Sequence, residues 1–102
     1  MQYYAVGSED VTKRFDLILR SGNEYSIPYS LLPIYKLSGG KKLDIIAYDL
    51  VITISGRNLA PVKKYLAKES LIWMKESPSG KDDGQSETFI SNIEIKGEAV
   101  NK

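Results

Sequence analysis

"VITISGRNLAPVKKYL", residues 51–66, decides the fold, because its period changes in mid-stream. Val51-Ile52-Thr53-Ile54 reads as a strand, Ser55-Gly56-Arg57-Asn58 interrupts, and Leu59, Val62 and Leu66 then recur at helical spacing. Asn58 reads as an N-cap whose side chain accepts from first-turn N–H groups. Pro61 falls early in the helix, where its missing donor does no harm. The expected helix runs from Leu59 to about Lys68 and persists by packing its Leu59/Val62/Leu66 stripe on a sheet. Gly56 reads as the residue that frees the backbone to leave the strand. Arg57 has no evident structural duty. It stands outward beside a helix N-terminus, where a guanidinium and free N–H groups together favour a phosphate.

Strands are expected on both sides of this joint. Upstream, "RFDLILR" alternates as a half-buried strand, and "SGNE" supplies a hairpin turn through Gly22 and Asn23. Tyr25 and Ile27 continue the alternation until Pro28 bends the strand or moves it to an edge. "YSLLPIYKL" reads as a bent strand or an irregular crossing, because Pro33 argues against a helix. "SGGKK" is a flexible turn that lacks the glycine and hydroxyl spacing of a phosphate-binding loop. "LDIIAY" and "LVITIS" form a tight hairpin of central strands about Asp49. Downstream, "SLIWMKE" and "TFISNIEIKG" are strands separated by the apolar-free stretch 77–87, a candidate mobile loop. Residues 1–10 read as a loose arm.

The bulk numbers narrow the function. One domain of 102 residues is expected, with no cysteine and no histidine. Disulfides, thiol nucleophiles, imidazole bases and the usual zinc ligands are therefore excluded. The carboxylate pairs Glu9/Asp10 and Asp82/Asp83 lie in loops without apolar surroundings to raise a pKa, so no catalysis, metal or cofactor is expected. No secretory signal and no apolar run of about 20 residues is present, which fits a cytoplasmic protein that does not span a membrane. Net charge is +1, but Lys36–Lys68 holds seven basic residues against two acidic ones. Such a basic middle can attract phosphate.

Six or so short strands with one helix imply a mainly β fold, a small, strongly bent antiparallel barrel or a strongly bent sheet. Two segments resemble the signatures of Sm-like proteins. "LILRSGNEYSI" is similar to the first, with Gly22 followed by Tyr25, and "ITISGRNL" to the second, with Ile54, Gly56 and Leu59. Ser55 stands where that second signature has its arginine, and Arg57 follows two places later. The resemblance covers roughly residues 14–76 and suggests a divergent, phage-borne or environmental variant. It implies a five-strand barrel, a ring built by edge pairing, and single-stranded RNA bound at loops near the pore.

From these readings the chain is expected to bind single-stranded nucleic acid, RNA ahead of DNA, through Lys41, Lys42, Arg57 and Asn58, with Tyr35 and Tyr48 stacking bases. A cyclic homo-oligomer of about five to seven subunits is expected, joined through "LVITIS" and "LIWMKE" as apolar edges. The alternative is a structural or adaptor module whose strands meet protein partners and whose lysines are solvated.

Overall fold

A computed structural model describes residues 1–8, 12–98 and 100; the carboxylate pair Glu9/Asp10 lies outside them. Among the described residues, eight strands, one short 3-10 turn and one α-helix build a mainly β protein. The first sheet holds β1 (Tyr4–Val6), β2 (Arg14–Ile18), β3 (Glu24–Pro28) and β7 (Leu71–Lys75), in the order β1-β7-β2-β3. The second holds β4 (Ile34–Ser38), β5 (Lys42–Ala47), β6 (Leu50–Arg57) and β8 (Phe89–Gly97), in the order β4-β5-β6-β8. The helix α1 (Ala60–Ala67) crosses from β6 in one sheet to β7 in the other.

The hairpins follow from turn chemistry and alternation. Gly22 has φ 95° between β2 and β3, and Gly39 and Gly40 have φ 59° and 71° between β4 and β5, values that side chains disfavour. Alternate residues of β5 and β6 point inward, so Leu43, Ile45, Ile52 and Ile54 are buried while Lys42, Asp44, Val51 and Thr53 face out. Leu59, Val62 and Leu66 close the same core from above, joined by Phe15, Leu17, Leu71, Met74 and Ile90. This apolar burial is the main source of stability.

A single buried acid clips the sheets together. Glu76, just past β7, is 5% exposed. Its carboxylate accepts the backbone N–H of Arg20 at 2.9 Å and of Ile93 at 2.7 Å, and the Arg20 guanidinium at 3.3 Å. Burial pushes its pKa up, but these donors outweigh burial and hold it below the ordinary carboxylate value. The chain after β2, the end of β7 and the middle of β8 therefore meet at one side chain.

The expected fold is found in part, as a mainly β protein with one helix, and three further expectations need correction. The described residues form two four-stranded sheets and no closed barrel. The first sheet is not purely antiparallel: β2 and β7 pair in parallel, because α1 delivers the chain to β7 from the other sheet. Tyr4–Val6 of the supposed loose arm is a strand on β7, and Tyr3 is buried edge-to-face against Phe89. The two strands expected to be bare edges are internal, β6 lying between β5 and β8 and β7 between β1 and β2. Their backbone edges are paired within the chain, so neither offers a free edge for joining subunits.

Candidate functional site

The joint of the quoted stretch is built differently from its sequence reading. Asn58 is not a cap: α1 is capped at Leu59, with no side-chain bond. Asn58 instead takes the left-handed conformation, φ 53°, that turns the strand into the helix, a role asparagine tolerates. Its amide donates to the carbonyl of Glu87 at 3.1 Å. Gly56 is needed for space rather than freedom, since an added Cβ would lie 1.9 Å from the carbonyl oxygen of Phe89. That close approach coincides with the register shift between Ser55 and Gly56 against β8.

Arg57 has a structural duty after all. Its guanidinium pairs with both carboxylate oxygens of Asp82 and donates to the carbonyls of Ser86 at 2.7 Å and Glu87 at 3.1 Å. The bond to Asp82 raises the pKa of Arg57. The same bond, with the backbone N–H of Gly84, lowers that of Asp82. The guanidinium ties the 77–87 loop to β6 and is already satisfied by protein acceptors.

The other expected contacts divide between distant places. The β4–β5 turn folds onto the joint: Gly56 N–H donates to the carbonyl of Lys41, and Leu59 N–H to that of Gly40, both at 2.9 Å. This brings the exposed Lys41 and Lys42 beside Asn58 and the first turn of α1, which carries Lys63. Tyr48 is fully exposed at the far end of the β5–β6 hairpin, roughly 17–20 Å along the strand from Lys42. Tyr35 is half-buried beneath α1, and burial together with the nearby Glu69 carboxylate pushes its pKa up to about 12. Its ring is a wall of a cleft rather than a surface platform.

That cleft is the feature the sequence did not reveal. After β3, Tyr29 anchors the crossing segment by donating its hydroxyl to the carbonyl of Leu71 at 2.8 Å and packing its ring, tilted by 51°, against Phe15 with centroids 5.0 Å apart. The 3-10 turn Tyr29–Leu31 then ends at Leu32, which has φ 50° and is 84% exposed. Neighbouring Leu31 and Ile34 are also exposed, at 44% and 67%. Ile34 lies in register with Ile46, and Ile46 with Val51, so an apolar row continues across the outer face of the second sheet.

Opposite Leu32 stands the end of α1. Ser70 N–H bonds to the carbonyl of Tyr65 and Glu69 N–H to that of Leu66, the paired bonds of a helix stop whose left-handed position is usually glycine. Here Glu69 holds it, with φ 55°. Between the two ends lies a cavity of about 200 Å3, walled by Tyr29, Pro33, Tyr35 and Leu66, with Leu32 and Glu69 in its lining. Larger clefts of about 400 and 480 Å3 flank Tyr4 and Glu87, and of the expected contact residues they include Asn58 alone.

Compared with known proteins, the chain matches no family model, no curated protein and no solved structure. The fold and site define a mainly β protein of two sheets and one helix, with an exposed apolar crossing segment beside a small cleft.

Proposed function

We propose that this protein is a non-enzymatic interaction module that docks a protein partner on the crossing segment Leu31–Ile34. One observation carries the reading. Leu32 is both left-handed and in water. The conformation costs an ordinary residue about 1–2 kcal/mol, and the exposed leucine gains nothing from burial. Glycine or asparagine would terminate the turn better. A bulky apolar residue kept there at the fold's expense, with Ile34 beside it, is what a docking surface needs.

A second reading rests on a different corner. Lys41 and Lys42 gather at the start of α1 beside Lys63, a place suited to the phosphates of single-stranded RNA or DNA. The Sm-like resemblance belongs to this reading, since its second segment lies on β6 and adjoins the lysines. Arg57, Asn58 and Tyr35 are drawn into the fold, which leaves this site with fewer contacts than the sequence suggested.

Site-specific photo-cross-linking in the producing cell separates the two. A benzophenone-bearing amino acid is placed at position 32, at position 41, or at the exposed control position 81. A discrete protein adduct from 32 and none from 81 is expected; an adduct of twice the chain's mass makes the partner a second copy. A nucleic-acid adduct from 41 with no protein adduct from 32 overturns the docking reading.

A further inference from the structure

The cleft between the crossing segment and the end of α1 has a chemistry of its own. Its walls are apolar and aromatic, formed by the Tyr29 and Tyr35 rings, Pro33 and Leu66. One carboxylate lines it, that of the exposed Glu69, which after burial helps raise the pKa of Tyr35 and, behind Tyr35, that of Tyr29. Among the described residues no lysine or arginine nitrogen lies within 4.0 Å of that carboxylate. Lys13 and Arg14 line an adjoining cleft beyond Tyr29, which Glu69 also borders, without forming an ion pair with it. A volume of about 200 Å3 falls below the roughly 300–1,000 Å3 of drug-sized sites, so the occupant is small, of single side-chain size.

We propose that this cleft binds an alkylammonium group, in the cell the side chain of a lysine presented by the docked partner. The occupant follows from complementarity. Four methylenes lie along the proline, leucine and tyrosine faces, as lysine stems do on apolar surfaces. The ammonium meets the Glu69 carboxylate and the electron-rich tyrosine rings, which attract a cation. Two helix ends converge here, and both carry a residue ill suited to the left-handed conformation, Leu32 and Glu69. Glycine at either place would relieve the backbone and remove one recognition element: the apolar rim or the charge. The identification of the lysine rests on the docking reading, whereas the ammonium site itself does not.

The test uses the whole chain and a simple probe. Nα-acetyl-lysine methylamide is titrated into the 15N-labelled protein to about 50 mM, because a lone side chain is expected to bind in the millimolar range. The neutral isostere Nα-acetyl-norleucine methylamide is run beside it. Expected are saturating shifts at the amides around Tyr35, Leu66 and Glu69 with the lysine probe only, and affinity at least about tenfold weaker in Glu69→Gln. Glu69→Gly serves as the second variant: it relaxes the turn, so it folds, and it also fails to bind the probe. Equal response to norleucine, unchanged affinity in Glu69→Gln, or no shift at the cleft at the highest concentration overturns the proposal. Cross-linking at position 32 is independent of this titration, so either result can fail alone.

Discussion

Replacing Glu76 by alanine tests how the two sheets are held. The substitution leaves the backbone N–H groups of Arg20 and Ile93 without their acceptor. Each buried donor left unpaired costs about 1–3 kcal/mol. Arg20 is partly exposed and keeps the Ser91 carbonyl at 2.7 Å, so its guanidinium adds little to the loss. A total of about 3–5 kcal/mol follows, in line with removing one partner of a buried pair. For a domain of this size that lowers the melting temperature by about 15–30 °C. Urea unfolding at pH 7, read with a constant m value, measures it directly. Glu76→Gln keeps one acceptor oxygen but turns an amide against a donor, so it falls between the two. The pH dependence has a definite sign. The folded-state pKa of Glu76 is lowered from 4.5, so the unfolded chain takes up the proton first as pH falls. Its stabilisation is complete above about pH 4.5 and is lost as pH drops through the folded-state value. Glu76→Gln therefore flattens the acid limb of the stability curve. A loss below about 1 kcal/mol in Glu76→Ala would refute the clamp, since even one orphaned donor costs that much.

Gly56→Ala forces a backbone shift against Phe89 and destabilises by about 2–3 kcal/mol, measured by thermal melting; an unchanged melt contradicts the close approach. Arg57→Ala lowers the melting temperature and exposes the 77–87 loop to proteolysis, and Asp82→Asn added to it has less effect than alone, because both act on one ion pair. Lys41→Ala with Lys42→Ala stays within about 0.5 kcal/mol of wild type and leaves the position-32 adduct intact. If oligonucleotide binding is found at low salt, the same pair reduces its log–log salt slope by about 0.7 for each phosphate no longer neutralised.

Much of the fold was legible. The strand-to-helix change after Ile54, the hairpins at Gly22 and Asp49 and the turn at Gly39-Gly40 show themselves through local period and turn chemistry. What failed depends on partners far along the chain. Whether β6 and β7 are edges turns on β8 and on β1, and three residues, Tyr4-Ala5-Val6, are too few to display a period. Arg57 looked idle because its acceptor, Asp82, lies 25 residues away in a loop with no pattern. The Asn58 reading failed for a nearer reason: an asparagine before a helix suits a left-handed turn as well as a cap. The cleft was hidden because its two helix ends break the rule by which such ends are found. Leucine and glutamate stand where glycine would be sought, and Pro33 signals only that a turn lies close by.

Leu32 is proposed to serve recognition at the fold's expense, and the thermal melt of Leu32→Asn tests that most directly. Asparagine adopts the left-handed conformation more readily, and a leucine 84% exposed surrenders almost no burial. The expected variant equals wild type or is more stable by about 0.5–1 kcal/mol, a rise of about 2–8 °C, with the position-34 surface no longer able to hold its partner. A destabilisation of more than about 1 kcal/mol would contradict this, placing Leu32 among the residues that hold the structure together.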